Sequence, residues 1–211
     1  MGFYPIVLDL TGRRCLVVGG GPVAERKVAA LLDAEARVTV VSPRVTVALQ
    51  AHAQSHRIHL VARRYRCRDV AGQVLVFVAT DDRAVNAAVA RDARARGIWV
   101  NVADDPPHCD FTLPSVLRRN ELTVAVSTGG TSPALARAIR EELESYFTED
   151  YGALARVSAE ARRELRGAGI LAGPNAWRGA LDANVRRLIA AGKTDEAKHR
   201  LVRRLRGATC A

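Results

Sequence analysis

The sequence is poor in aromatic residues and has no long apolar run. Aromatic side chains make up 5% of its 211 residues, whereas hydrophobic residues make up 48%. The core must therefore be built from Val, Leu, Ile and Ala, and the length suits one large domain or a domain plus a smaller one. No apolar run approaches the roughly 20 residues that a membrane span requires, so we expect no membrane partner.

Neither a cysteine pair nor a signal peptide is expected from the sequence. Its four cysteines, Cys15, Cys67, Cys109 and Cys210, form no C-x-x-C pair, which argues against a disulfide framework or a structural zinc site. Cys15 lies in an apolar run and is predicted to be a core residue. The first ten residues carry Asp9 and no basic stretch, unlike a secretion signal, so we expect a cytoplasmic protein.

Positive charge is concentrated toward the carboxyl-terminal end. Residues 151–211 hold 13 basic and 5 acidic residues, a net charge of +8, against +2 for residues 1–150. A basic segment attracts polyanions, which include nucleic acids, acidic membranes and polycarboxylate substrates. No aromatic residues that would stack on bases are interleaved with these basic residues, so we expect no nucleic-acid partner.

The first half of the chain alternates between short apolar runs and amphipathic segments. Helices are predicted at 22–32, at 44–54 and between the last two strands. The predicted strands cover 15–18, 38–41, 58–61, 74–79 and 99–102. Alternating strand and helix with short turns predicts a parallel sheet covered by helices on both faces.

The pattern changes after Pro107. Two β segments are predicted at 111–117 and 122–126, followed by a helix that Ser132 caps and Pro133 begins. From residue 148 onward the chain is predicted to be helical. One apolar stripe at helical spacing consists of Trp177, Leu181, Val185, Leu188 and Ile189.

A dinucleotide-binding pattern follows the first predicted strand. Glycines let the backbone turn tightly and approach a pyrophosphate, while the helix N-terminus offers N–H groups and a positive dipole end. The strand–turn–helix context favours nucleotide binding over a glycine turn without a ligand. The residues of this G-x-G-x-x-A pattern are Gly19, Gly20, Gly21, Pro22, Val23 and Ala24.

The second strand ends without the acidic residue that usually binds the adenosine ribose. Ser42, Pro43 and Arg44 stand there instead. The ribose would be held by the Ser42 hydroxyl or by backbone groups, or Arg44 would accept a 2′-phosphate. The pattern alone therefore leaves NAD and NADP open.

Polar residues follow two further strands. They are Thr80, Asp81 and Asp82 after the fourth strand, and Asn101, Val102, Ala103 and Asp104 after the fifth. Ligands of an open parallel sheet lie beyond the carboxyl ends of its strands, so these residues are expected along the path of the cofactor. Asp104 would take or orient a proton as a hydride leaves; alternatively, Asp104 or Asp105 only shapes the turn before Pro106.

A second loop of small residues precedes the helix that begins at Pro133. Its hydroxyls and N–H groups suit substrate carboxylates, but the pattern alone favours the alternative, a helix cap and a flexible turn. These candidate substrate-binding residues are Ser127, Thr128, Gly129, Gly130, Thr131 and Ser132. His108 and Cys109 are of metal-ligand type, yet their spacing matches no closed site, so no structural metal is predicted.

Five stretches, in order, resemble the precorrin-2 dehydrogenase family, which also forms the N-terminal part of fused siroheme synthases. The resemblance covers residues 3–150 and, more loosely, the helical tail. Five ordered motifs are far more specific than one glycine turn. The matching stretches are 4–6, 18–27, 79–82, 101–104 and 126–133.

The resemblance implies NAD-dependent oxidation of precorrin-2 to sirohydrochlorin by a homodimer. It implies that Asp104 is the catalytic residue, and it puts cofactor contacts at Pro22, Val23, Pro43 and Arg44. Some members also insert ferrous iron, and the sequence does not decide whether this one does. An NAD-sensing module without catalysis is the alternative, disfavoured by the combination of Asp104 with the loop 127–133.

The predicted fold is therefore α/β, with an N-terminal Rossmann-type parallel sheet, a small α+β segment and a helical C-terminal domain. We assign residues 1–112 to cofactor binding, 113–149 to dimerisation and substrate contact, and 150–211 to the helical domain. Precorrin-2 carries eight carboxylates, so arginines of 118–140 and of the helical tail are expected to line its site. The sequence ends at residue 211 without the methyltransferase domain of fused members, so we expect another protein to supply the substrate.

Overall fold

A five-stranded parallel sheet forms the centre of the first half of the molecule. The computed structural model describes residues 2–209 and divides the chain into two units, Met1–Thr112 and Leu113–Ala211. The strand order is β3-β2-β1-β4-β5, which confirms the α/β class and the parallel sheet. The strands are β1 (Arg14–Val18), β2 (Arg37–Val41), β3 (Ile58–Val61), β4 (Leu75–Val78) and β5 (Trp99–Val102).

Helices cover both faces of this sheet, as the aliphatic composition of its strands requires. On one face α1 (Pro22–Asp33) packs Ala24 and Val28 into a core with Val17, and α2 (Val47–Gln54) adds to it. On the other face α3 (Arg83–Arg94) packs Val89 against Val76. Burying each such aliphatic side chain contributes roughly 1.5–3 kcal/mol.

The cysteines of the described residues are unpaired. Cys15 is buried in the core, as predicted, and Cys67 is exposed on a short 3-10 turn. Burial raises the pKa of the Cys15 thiol to about 11, which keeps it neutral at ordinary pH. Cys210 lies outside the described residues.

The second unit begins with an antiparallel hairpin of β6 (Ser115–Arg119) and β7 (Leu122–Val126), followed by α4 (Pro133–Tyr146). Four more helices share one core that includes Val157, Leu165 and Leu201. They are α5 (Glu149–Gly167), α6 (Pro174–Ala180), α7 (Ala183–Ala190) and α8 (Thr194–Thr209). None of the helices in the described part of the chain is long and apolar enough to cross a membrane. Separate roles for 113–149 and 150–211 stay a prediction.

Two predicted boundaries were wrong. The second helix begins at Val47 rather than at residue 44, because Thr46 caps it by accepting the Leu49 N–H at 3.3 Å. The sixth strand begins at Ser115 rather than at residue 111, because the segment before it lies against the first sheet: the Phe111 carbonyl accepts a side-chain N–H from Asn101.

The predicted stripe 177–189 is not one helix but two. Asp182 begins α7 by accepting the Val185 N–H at 2.9 Å. The same carboxylate pairs with Arg200 at 3.1 Å and with Arg204, both on α8. The stripe residues nevertheless face one core, so the pattern identified the buried face correctly and missed the break.

The Asp182 carboxylate makes this corner of the helical unit dependent on pH. The Val185 N–H, with Arg200 beside it, lowers the pKa of Asp182 from 3.8 to about 2. Because the folded-state pKa is the lower one, the stabilisation is present above about pH 4 and is lost as the pH falls toward about 2.

Replacing Asp182 by Ala is expected to lower the free energy of unfolding by about 1 kcal/mol at pH 7, since a helix cap and two cation contacts are lost. Urea unfolding between pH 7 and pH 3 measures the difference, which should narrow at the acid end. Glu160→Ala removes a carboxylate of the neighbouring α5 and should change stability by less than about 0.5 kcal/mol. A difference independent of pH would show that the charge contributes nothing.

Candidate active site

Two glycines close the turn after β1 by packing against neighbouring backbone. A Cβ on Gly19 would lie 2.1 Å from the Ala79 carbonyl oxygen, and one on Gly20 would lie 2.1 Å from the Arg44 carbonyl oxygen. Gly19 also has a φ of 125°, which L side chains rarely adopt. The turn therefore sits directly against the chain that follows β2 and the chain that follows β4, where the strand order reverses.

The third glycine faces open space. Gly21 is the N-cap of α1 and makes no side-chain cap, and Pro22 is the first helical residue. A Cβ on Gly21 would meet nothing within 4 Å. An uncapped helix N-terminus leaves the N–H groups of Val23 and Ala24 without intrahelical partners. These residues fit a pyrophosphate, because they combine free donors, a positive dipole end and room.

The end of β2 presents Arg44 rather than Ser42. The Ser42 hydroxyl is buried and donates to the Arg44 carbonyl at 2.6 Å, while the Thr46 N–H donates to the Gly20 carbonyl at 2.9 Å. Ser42 thus closes its own loop and has no hydrogen left to donate to a ribose, while Thr46 ties this loop to the glycine turn. Pro43 and the Arg44 side chain are exposed.

The polar residues after β4 mostly serve the fold. The Thr80 hydroxyl donates to Asn86 Oδ1 at 2.6 Å, and Asn86 Nδ2 donates to the Thr80 carbonyl at 3.0 Å. Asp82 caps α3 by accepting the N–H groups of Ala84 and Val85. Asp81 is exposed. The sequence analysis missed Asn86, whose signal is a polar residue on the buried face of α3.

Asn101 and Val102 anchor the chain after β5. Asn101 Nδ2 donates to the Phe111 carbonyl at 2.9 Å, and the Val102 N–H donates to Cys109 Sγ at 3.2 Å. Both Asn101 and Val102 are buried. Burial raises the pKa of the Cys109 thiol, so it stays protonated at neutral pH. Across residues 2–209, no three His, Cys, Asp or Glu side chains are grouped to hold a metal ion.

The structure distinguishes the two aspartates that follow. Asp105 shapes the turn: its carboxylate lies 2.9 Å from His108 Nδ1, and its carbonyl accepts the His108 N–H at 3.1 Å. Asp104 has a φ of 57°, is exposed, and has no hydrogen bond to any described residue. A left-handed residue with a free carboxylate at the carboxyl edge of a sheet is a candidate for chemistry.

In the second unit, the loop before α4 is held by its own hydroxyls. Ser132 caps α4 by accepting the Leu135 N–H at 3.2 Å. The Thr128 hydroxyl donates to the Ser132 carbonyl at 3.0 Å and accepts the Ser132 N–H at 3.0 Å. Ser132 and Thr128 therefore cap the helix and close the loop, which is the alternative to a role in binding substrate carboxylates.

The remaining residues of this loop are more open. The Ser127 hydroxyl accepts the Gly129 N–H at 3.2 Å, and the Thr131 hydroxyl donates to the Thr128 carbonyl. Gly129 and Gly130 have φ values of 63° and 80° and are exposed. The Gly129 N–H is thus engaged, whereas the exposed Gly130 N–H has no hydrogen bond to a described residue, and a ligand-binding role for this loop stays a proposal.

Two family models match the chain. The one described as putative NAD(P)-binding matches residues 6–115, and the one described as sirohaem biosynthesis protein central matches residues 119–146. The first match ends three residues beyond the boundary between the units at Thr112 and Leu113, and the second lies within the second unit.

Similar proteins include several called siroheme synthase. That of Methylococcus capsulatus is 41% identical over 206 residues, which are 96% of this chain and 43% of the relative. That of Thioalkalivibrio sulfidiphilus is 42% identical over 214 residues, covering 97% of this chain and 42% of the relative. The chain thus spans less than half the length of these relatives.

One solved structure is similar over nearly the whole chain. It is described as SirC, precorrin-2 dehydrogenase, and it is 27% identical with a TM-score of 0.76. The alignment covers 94% of this chain and 98% of that one.

The glycine turn allows a matched test of packing. Gly20→Ala is expected to lower the free energy of unfolding by about 2 kcal/mol or more, because its Cβ would meet the Arg44 carbonyl and the loop must shift. Gly21→Ala, one residue on and in open space, should cost at most about 1 kcal/mol, because only the preference for glycine over alanine at an N-cap is lost. Thermal denaturation compares the two. Equal losses of stability in the two variants would mean that the loop around Arg44 does not pack against Gly20 as the structure shows.

Proposed function

This chain belongs to the putative NAD(P)-binding family, and we propose that it is a precorrin-2 dehydrogenase, which oxidises precorrin-2 to sirohydrochlorin with NAD. The family resemblance predicted from five motifs is confirmed by the match to the sirohaem central model, by siroheme synthases and by a precorrin-2 dehydrogenase. The structural observation that carries the proposal is the free carboxylate of Asp104 at the edge of a dinucleotide-binding sheet.

We assign cofactor binding to the first unit. Gly21 and the N–H groups of Val23 and Ala24 hold the pyrophosphate, and the loop Ser42–Arg44 lies beside the adenosine ribose. The ends of β4 and β5, from Thr80 to Asp81 and from Asn101 to Val102, shape the rest of the path. A bound nicotinamide supplies the hydride acceptor. We propose NAD as the cofactor, as the family resemblance implies. If NADP bound instead, Arg44 is the side chain that its 2′-phosphate would meet.

Asp104 is proposed to handle the proton. Forming sirohydrochlorin removes two hydrogens from precorrin-2: a hydride goes to the nicotinamide, and a proton must go to a base. An exposed carboxylate without a hydrogen bond is available to accept or orient that proton. Asp105 is unsuited, because its carboxylate already binds His108.

We propose that the second unit contributes to substrate binding. The loop Ser127–Ser132 offers the backbone N–H of Gly130, since that of Gly129 donates to the Ser127 hydroxyl, and arginines supply positive charge. Arg137 and Arg140 are paired with glutamates of the same helix, so a substrate carboxylate would have to displace exposed glutamates. Exposed pairs contribute at most about 1 kcal/mol each, which makes the exchange easy.

Dehydrogenation is tested by absorbance at 340 nm with enzymatically made precorrin-2 and with NAD and NADP in parallel. Asp104→Asn is the chosen variant, since Asn tolerates left-handed backbone whereas Ala would add strain. It should lower kcat by about a hundredfold or more while NAD affinity is unchanged. Asp105→Asn, in the same turn, is the control and should keep most of the turnover.

The outcomes separate the alternatives. Unchanged turnover in Asp104→Asn would remove its catalytic role. A folded wild-type protein that binds NAD but never reduces it would overturn the dehydrogenase in favour of a regulatory module. Ferrous iron is left out of this assay, and its addition to the sirohydrochlorin product tests iron insertion separately. A cytoplasmic location stays a prediction.

We also propose that the protein is a homodimer joined through the segment 113–149. Its hairpin has only two strands, and such hairpins are marginal unless their apolar face is covered. Leu135 on α4 is 52% exposed and Val116 on β6 is 39% exposed, while Ala136 is the one buried residue of α4, which the structure describes in full. A second copy would cover these side chains.

Leu135→Arg is expected to convert the dimer to a monomer, because a charge would be buried in the interface. Light scattering after size-exclusion chromatography at micromolar concentration gives the mass directly. Leu171→Arg is the matched control: Leu171 is 79% exposed but lies outside segment 113–149. A monomeric wild type, or loss of the dimer in both variants, would contradict this interface.

A further inference from the structure

Lys27 is an unusual residue in this chain. The sequence contains 29 arginines and three lysines, and Lys27 is the only lysine before residue 193. Arginine and lysine are not interchangeable, since lysine is a compact charge whose protonation responds to burial, whereas arginine stays charged. Lysine at this position therefore supplies a compact charge whose protonation responds to its surroundings.

The Lys27 ammonium lies at the edge of the sheet where the candidate site is. Lys27 is on α1, and helical side chains point back toward the helix N-terminus, which here is the glycine turn. Its Nζ is 5.8 Å from the centre of the Phe77 ring. Phe77 of β4 pairs in register with Asn101 of β5, so the amine lies beside the two strands that lead to Thr80 and Asp104.

The ammonium is partly buried, and it has neither a hydrogen bond nor an ion pair within the described chain. Burial lowers the pKa of Lys27, and the neighbouring Arg26 lowers it further. The groups that act in the opposite direction are Asp104 and Cys109. Because the Cys109 thiol is protonated at neutral pH, Asp104 is the anion whose charge acts on this cation.

We propose that Lys27 is a positioning residue of the candidate site, whose ammonium attracts the Asp104 carboxylate and orients it. Asp104 has no other described partner to fix its direction, and a catalytic base normally needs an orienting group. The attraction is independent of the proposed function, which supplies only the consequence for catalysis.

The attraction is tested by NMR titration of protein labelled with 13C-lysine. Three lysines give three sets of side-chain signals, and Lys27→Arg identifies that of Lys27. Asp104→Asn should lower the pKa of Lys27, because an attractive negative charge is lost. Arg26→Met should raise it, and Asp105→Asn, whose carboxylate binds His108, should leave it unchanged. An unaltered pKa in Asp104→Asn, or an equal fall in Asp105→Asn, would overturn the proposal.

A kinetic measurement tests the positioning. Lys27→Met should lower kcat about ten- to a hundredfold with unchanged NAD affinity, since a misplaced base slows the chemical step. Lys27→Arg restores the charge and should recover much of the loss. Arg26→Met removes the same charge from the exposed neighbour and should leave kcat near the wild-type value. Unchanged kcat in Lys27→Met would refute the positioning role.

The two measurements test the role of Lys27 and the proposed dehydrogenase activity separately. The titration uses no substrate, so its result stands even if no precorrin-2 is oxidised. A lost attraction with an active enzyme would refute the role of Lys27 and leave the dehydrogenase intact.

Discussion

The packing of two glycines against two carbonyl oxygens is the constraint on which the rest of the first unit depends. Gly19 and Gly20 bring β1 so close to Ala79 and Arg44 that a single methyl group would lie 2.1 Å from either oxygen. This contact places the start of α1 between the chain after β2 and the chain after β4. The open Gly21, the Arg44 loop and the end of β4 thus surround one point at which the strand order reverses.

Most polar residues around the point where the strand order reverses form hydrogen bonds within the protein and are not available to a ligand. Ser42 closes its own loop, Asp82 caps α3, and Asp105 binds His108. Buried or semi-buried strand ends leave N–H and C=O groups that require such partners. Few side chains here have no such structural role, chiefly Arg44 and Asp104. A ligand would contact these side chains.

The sequence predicted the sheet, the glycine turn and the Ser132 cap, because each follows from local pattern: apolar runs, glycine before a helix, and Ser before Pro. It did not predict the break at Asp182, since an apolar stripe has the same spacing whether one helix or two present it. Local pattern could not separate Asp104 from Asp105 either, and only the family resemblance singled out Asp104; in the structure, backbone conformation and the His108 contact distinguish the two.

Lys27 was missed for a related reason. Its position two turns into α1 is ordinary in sequence, and only the fold brings its amine to Phe77 and the Asp104 turn. Long-range and short-range charge then act differently in this protein. The net +8 of residues 151–211 attracts a polycarboxylate from a distance and is screened by salt within about 10 Å. A half-buried ammonium is less accessible to salt ions than an exposed one, so we expect the proposed attraction between Lys27 and Asp104 to weaken less with salt than the attraction exerted by the exposed basic residues.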